Sequence, residues 1–310
     1  MKFHLNYQPQ KTDFEISHTN NLIFIGSCFS ENISELLKLD GFKVYTNPFG
    51  ITYNPISIFE QINLLEEKQP LTNDFCVRAN GLFYNYFSHS SIHENTEEKL
   101  IEKLKQIKST FIEKLNQTDF LFITFGSAFY YTLNNKVVAN CHKQPNTIFK
   151  KNSIKLSNSE FIINSIRTLL KVNPKIKLIF TISPVLHLKD GVEENFLSKS
   201  TLRLLIEQIC NEFNQCYYFP AFELVNSDLR DYRFYKEDLA HPNQTAINYI
   251  YNKFKHCYFS EETLNISNEI NYYSKLCAHK VLNKELELLH KEKINSTKRA
   301  LQLKYPYLSL

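Results

Sequence analysis

The chain has 310 residues, 43% hydrophobic and 22% charged, with a formal net charge of +4. That length and apolar content support a sizeable core in one large domain or two small ones. The Lys and Glu residues are interspersed, so no electrostatic footprint for nucleic acid is present, and seven cysteines without paired spacing or a CxxC exclude a disulfide framework and a Cys-type zinc site.

The opening segment, MKFHLNYQPQKTDFEIS, lacks the apolar run of a secretory signal, and no stretch approaches the ~18 apolar residues of a membrane span. A cytoplasmic protein with reduced thiols and no membrane insertion is expected. "NLIFIG" (21–26) then reads as a buried strand, and "FSENISELLKLDG" places Phe29, Ile33, Leu36 and Leu37 on one helical face, with Gly41 as its stop. "FKVY" (42–45) suits a strand and residues 54–68 a helix with Pro55 in its first turn. "GLFYNYF" (81–87) reads as a strand. Asn95 with Glu98 resembles a capping box ahead of Leu100, Leu104, Ile107, Phe111 and Leu115. "DFLFITFG" (119–126) and "IKLIFTIS" (176–183) are strong strands, "KVVA" (136–139) and "CYYF" (216–219) weaker ones. Helices follow around Ile162–Leu169, Leu202–Phe213 and residues 243–258. Residues 183–200 read as a long loop.

Apolar strands alternating with amphipathic helices define an α/β fold with a mostly parallel sheet. Residues 1–259 read as that domain. Residues 260–310, Lys/Glu-rich with a loose leucine and isoleucine stripe, read as a C-terminal helical extension packed on the domain or on a second subunit.

In open parallel sheets, ligands bind beyond the carboxyl ends of the strands. Gly26-Ser27-Cys28, Gly126-Ser127 and Ser183 to His187 fall there. A later loop carries Asp238 and His241 as D-x-x-H. Such a spacing lets the carboxylate fold back on the imidazole, fix its tautomer and leave Nε2 as a base. Cys28 or Ser27 would be the nucleophile, and a helix N-terminus there is expected to lower the Cys28 pKa and to offer N–H groups to an oxyanion. His142 and Asn140 in "NCHK", and His187, Asn195 and Lys199 in the 183–200 loop, are candidate pocket and substrate contacts. The histidines lack metal-ligand spacing, so no metal and no cofactor are expected.

At these residues the sequence resembles the GSCFA domain family. The blocks are "GSCFSENI", "NPFGITYNPISI", "FSHSSIH", "TFGSAFYY", "NCHK", "SPVLHLKDGVEENFLSKSTLR" and "RDYRFYKEDLAHP". They span about residues 22–242, with Ser30 where Ala is usual. That family is similar to the SGNH (GDSL-like) hydrolases and acyltransferases. The resemblance implies a three-layer α/β/α, flavodoxin-like fold in a bacterial protein. It also implies an esterase or O-acyltransferase in which Cys28, His241 and Asp238 form the relay and a thioester acyl-enzyme, with Ser27 the alternative nucleophile. Gly26, Gly50 and Gly126 match the glycines of three SGNH blocks, Gly50 as an oxyanion-hole donor. Ala128 and Phe129 replace the Asn and Asp of the third block, so Asn140 or His142 would have to supply that donor. The expected ligands are a small-molecule or glycan acyl substrate and an acyl donor, with oligomerisation through the C-terminal helices. The alternative is a catalytically degenerate SGNH fold used as a binding or scaffold module.

Overall fold

The computed structural model describes residues 5–66, 75–155, 159–281 and 283–308. Its core is a five-stranded, all-parallel sheet. Strand β1 (Asn21–Gly26) leads into helix α1 (Cys28–Leu39) and β2 (Lys43–Thr46). Helix α2 (Pro55–Ile62) and a 3-10 turn (Asn63–Glu66) follow; residues 67 and 68, expected to extend that helix, lie outside the described residues. A two-stranded ribbon, β3 (Cys76–Ala79) and β4 (Leu82–Asn85), precedes α3 (Glu97–Asn116) and β5 (Phe120–Phe125). A small antiparallel sheet of β6 (Phe129–Leu133), β7 (Lys136–Val138) and β8 (Lys150–Ser153) is inserted next. Then come α4 (Ser159–Val172), β9 (Lys177–Ile182), α5 (Val192–Glu212) and β10 (Cys216–Phe219). A short turn α6 (Ala221–Glu223) widens into a π-helical stretch, and α7 (Gln244–Tyr258), α8 (Glu261–Ala278) and α9 (Lys284–Lys304) complete the chain.

The sheet order is β10-β9-β5-β1-β2. Without the inserted strands this is the 2-1-3-4-5 order of a doubly wound, flavodoxin-like fold. The strand period of two sorts the apolar side chains between two cores. Leu22, Phe24, Phe120 and Phe122 face a core shared with α1 and α7. Ile23, Ile25, Leu121, Ile123 and Phe180 face the core under α2 to α5. Continuous apolar runs such as "LIFI" are therefore required, because both sheet faces are covered. The result is the expected three-layer α/β/α arrangement.

Two local expectations need correction. The N-cap of α3 is Thr96, whose hydroxyl accepts from Lys99 N–H at 3.4 Å, one residue beyond Asn95. The presumed 183–200 loop ends at Gly191, and α5 begins at Val192. Helix α8 docks on α1: Asn271 Nδ2 donates to the buried Asp40 carboxylate at 2.6 Å and Ser274 Oγ to Leu39 O at 2.9 Å. Ile270 lies beneath Gly41, where a Cβ would come within 2.6 Å of it. No helix among the described residues is long and apolar enough to cross a membrane.

Candidate active site

The turn between β1 and α1 is built by a glycine that nothing larger can replace. Gly26 ends β1 at φ +137°, and a Cβ there would sit 2.2 Å from Thr124 O on the neighbouring strand. Close parallel pairing of β1 with β5 therefore requires the missing side chain. Gly26 N–H donates to Asn47 Oδ1 at 2.8 Å, and its carbonyl accepts from Thr52 N–H at 3.1 Å. Ser27 is then the N-cap of α1, its hydroxyl accepting from Phe29 N–H at 3.3 Å. Cys28, the first helical residue, is half-buried.

The Cys28 thiol does not have the lowered pKa expected of a helix N-terminus. Burial pushes it above its ordinary value and the Glu31 carboxylate pushes the same way. The N–H groups of Cys28 and Phe29 and the Lys236 ammonium pull it down, but less strongly. Desolvation of a thiolate outweighs a few oriented dipoles when the group is mostly removed from water.

The second half of the site is a closed loop. Tyr235 and Pro242 form an antiparallel bridge, and Lys236 N–H donates to His241 O at 2.7 Å. Inside it, Asp238 Oδ1 accepts from the N–H groups of Ala240 (3.0 Å) and His241 (2.9 Å), and Oδ2 accepts from His241 Nδ1 at 2.6 Å. The two backbone donors first, and the imidazole after them, hold the Asp238 carboxyl down to about 2. The carboxylate thus fixes the His241 ring with Nδ1 as donor and leaves Nε2 as acceptor.

Both halves border one cavity of about 550 Å³ beyond the carboxyl ends of β1, β5 and β9. Cys28, Ser27, Asp238 and His241 line it with Asn140 and His187, and Phe129, Tyr131 and Val138 of the small sheet form an apolar wall. This is the switch point of the sheet, where the strand order reverses between β1 and β5.

The remaining expected residues divide. Gly126 borders the cavity, but its N–H is taken by Tyr53 O at 2.7 Å. Gly50 does not border the cavity, and its N–H donates to Asn47 O at 2.8 Å, so the expected oxyanion role is corrected. It is glycine for a steric reason: at φ +77° a Cβ would lie 2.3 Å from His89 Cβ. His142 sits behind the wall, buried against Tyr84 and Tyr86, with Nε2 on Asn85 O at 2.8 Å. Its backbone N–H donates to Asn140 Oδ1 at 2.9 Å. Asn195 and Lys199 are buried on α5 and do not border the cavity. Asn195 Oδ1 accepts from His187 N–H at 2.9 Å. Lys199 Nζ donates to Gly126 O at 2.7 Å and Ser183 O at 2.8 Å. They were expected on a loop, in contact with substrate; helix α5 instead carries them under the strand ends.

Several residues that shape the site went unrecognised. Asn47 clamps the turn between β1 and α1 through Gly26 N–H and also donates to Glu31 at 3.2 Å. Tyr53 lines the cavity and its carbonyl holds the N–H groups of Gly126 and Ser127. Asn47 and Tyr53 lie in "NPFGITYNPISI", so the block itself carries the sequence signal for both.

The fold and site define a doubly wound α/β protein with a Ser-Cys turn and an Asp–His pair lining one cavity at its switch point. Within that class the chain belongs to the GSCFA family, whose match covers residues 21–254. Comparison with curated proteins returns no match. Among solved structures, a Bacteroides fragilis protein described as a "putative acylhydrolase" is 9% identical, with a TM-score of 0.40 over 85% of this chain and 92% of its own. A Clostridium thermocellum family 3 carbohydrate esterase is 13% identical, with a TM-score of 0.34 over 81% of this chain and 98% of its own.

Proposed function

We propose that the protein is an acyl-transfer enzyme, an esterase or O-acyltransferase, in which Cys28 is the nucleophile, His241 the base and Asp238 the residue that orients it. The observation that carries this reading is the 2.6 Å Asp238–His241 bond beside a cavity that Cys28 also borders. His241 Nε2 takes the thiol proton as Sγ attacks an ester or thioester carbonyl, which removes the need for a preformed thiolate. The leaving group departs with that proton, and water or a hydroxyl resolves the thioester. Cys28 is favoured over Ser27 because the Ser27 hydroxyl is engaged as the α1 cap. For the oxyanion, the Cys28 N–H at the first turn of α1 is one donor. Asn140 is the other: its Oδ1 is occupied by His142 N–H, so Nδ2 is its donor end.

The same proposal includes a cytoplasmic setting, a glycan or small-molecule acyl substrate and a functional domain ending near residue 259. The extension would carry any oligomer contact, since Leu286, Leu289 and Leu303 of α9 are exposed. One observation favours the binding-module reading instead, the raised pKa of Cys28.

Incubation with p-nitrophenyl acetate, followed by mass spectrometry of the peptide containing residues 27 and 28, separates the two readings. Acylation of Cys28 in wild type and Ser27→Ala, lost in Cys28→Ala and His241→Ala, is the expected result. Absence of acylation in wild type with both ester and thioester donors favours the binding module, and loss in Ser27→Ala alone moves the nucleophile to Ser27.

A further inference from the structure

The cavity holds a second histidine whose wiring is the reverse of His241. His187 Nε2 lies 2.6 Å from Gly126 O. A carbonyl oxygen only accepts, so Nε2 is the protonated nitrogen and Nδ1 carries the lone pair. The same carbonyl accepts from Lys199 Nζ at 2.7 Å, which also reaches Ser183 O. A second proton on His187 would place an imidazolium beside a buried ammonium. Burial lowers the His187 pKa, and the Lys199 charge lowers it further. The Gly126 carbonyl and Asp190 oppose this and His241 adds to it, with the depressing influences prevailing. Lys199 is itself held down to about 7 by burial. Its charge grows as pH falls through about 7, so the repulsion strengthens over the range in which a histidine would protonate.

We propose that His187 offers the cavity only the Nδ1 lone pair and so recognises a hydroxyl of a polyol acyl acceptor, with Lys199 as the positioning residue that holds it in the Nε2–H form. The proposal rests on the acyl-transfer reading and adds the substrate class. One hydroxyl of the acceptor attacks the Cys28 thioester: the C–O bond forms, the C–S bond breaks, and the hydroxyl proton passes through His241 Nε2 to Sγ. A second hydroxyl of the same molecule donates to His187 Nδ1 and orients the first. A polyol or sugar has such paired hydroxyls and water does not, so this contact favours transfer over hydrolysis. The bond between Asn195 and His187 N–H fixes the backbone from which the ring projects. Lys199, which does not border the cavity, acts only through the Gly126 carbonyl and through its charge.

The test uses the full chain with ¹⁵N-labelled histidine. Long-range ¹H–¹⁵N correlation should show His187 as the Nε2–H tautomer and taking its second proton below the ordinary histidine range, with Lys199→Met raising the pH at which it does so. An Nδ1–H tautomer, or a second proton taken within or above the ordinary histidine range in the wild type, overturns the proposal; this reading needs no variant to fold. In parallel, the acetyl group from p-nitrophenyl acetate is partitioned between water and glycerol. His187→Leu removes the Nδ1 acceptor, while the amide of His187→Gln keeps both an N–H donor for Gly126 O and an acceptor oxygen. Measured on whatever acyl-enzyme forms, His187→Leu should lower the glycerol-to-water ratio about tenfold, the scale of one hydrogen bond between neutral groups, and His187→Gln should lower it less. An unchanged ratio in His187→Leu overturns this inference alone, because a purely structural His187 would give that result. No acylation in the wild type overturns the parent reading and the acceptor role with it.

Discussion

His241 and His187 border one cavity and are held by opposite nitrogens in opposite surroundings. His241 stands on an irregular loop, partly exposed, with a carboxylate on Nδ1. His187 follows β9, largely out of water, with a carbonyl on Nε2 and a buried ammonium on that same carbonyl. A carboxylate partner stabilises an imidazolium, whereas an ammonium nearby destabilises one. The first wiring suits a residue that must accept and release a proton during the reaction. The second suits a residue that must stay neutral and offer a lone pair. Placement follows the same logic. The Asp238–His241 pair is satisfied within its own short loop and needs little support from the core. The His187 arrangement depends on α5, β5 and β9 being packed together.

Breaking each side should therefore damage different properties. The largest effect is expected at the loop. His241→Ala should slow acyl-Cys28 formation by about 10³-fold or more, and Asp238→Asn by about 10²- to 10⁴-fold through loss of the tautomer-fixing acceptor. His241→Ala should leave the thermal unfolding transition in place, as measured by circular dichroism, and Asp238→Asn should lower it by no more than the depressed carboxyl contributes. Loss of acylation in Asp238→Asn only where the variant has unfolded would mean that the pair is a loop clasp rather than a relay.

The reverse is expected at Lys199. Lys199→Met removes the donor to two buried carbonyls, Gly126 O and Ser183 O. Each unsatisfied carbonyl costs about 1–3 kcal/mol, offset in part by no longer burying a charge. A net loss of about 2 kcal/mol in urea unfolding at pH 6 to 7 is expected, with acylation of Cys28 reduced far less than in His241→Ala. Stability equal to wild type would show that the carbonyls find other donors and that the ammonium is dispensable.

The pH dependence sharpens the contrast because the two sites titrate in separate windows. Lys199 is held down to about 7 in the folded chain, below its ordinary value of 10.5. Between those values the unfolded chain binds the extra proton, so unfolding free energy should rise with pH from about 7 to 10.5. Lys199→Met should lack that slope. Asp238 is depressed to about 2 from 3.8. Its contribution is present above the ordinary carboxylate range and is lost as pH falls through about 2. Urea midpoints measured against pH in wild type, Lys199→Met and Asp238→Asn check both signs.

The contrast also marks what could be read in the sequence. Strands β1, β5 and β9 were legible because both of their faces are buried and their apolar runs are unbroken. The D-x-x-H loop was legible because its partners lie within a few residues in the chain, and the turn after β1 because a glycine ends an apolar run, although Asn47, Thr52 and Thr124, which hold it, lie far off in the chain. Lys199 was noticed and misplaced. Its partners, Gly126 and Ser183, lie 73 and 16 residues away, and the low apolar contrast of "VEENFLSKSTLR" hid the start of α5. Gly50 was misread for a related reason. A glycine required by a close approach to His89 looks the same in sequence as one that exposes an N–H to a ligand. Strands β6 and β8 carry weak signals because β6 is only partly buried and β8 is short and mostly exposed.

The smallest expected effect separates Ser27 from Cys28. The Ser27 hydroxyl caps α1 through a 3.3 Å bond from Phe29 N–H, and the residue is buried. Its replacement by Ala should cost about 1 kcal/mol of stability, the usual worth of an N-cap side chain. The long bond argues for the lower part of that range. Acylation should persist, because Cys28 and the Asp238–His241 pair are untouched. The Cys28 pKa should change little, since its main causes are burial and Glu31 rather than the cap. Iodoacetamide alkylation of Cys28 should thus keep rising with pH through about 9 in Ser27→Ala as in wild type, as expected for a thiol without a stabilised thiolate. If alkylation and acylation fell together in that variant, the hydroxyl would be acting on the sulfur and not only on the helix, and the two neighbours would have to be treated as one catalytic unit.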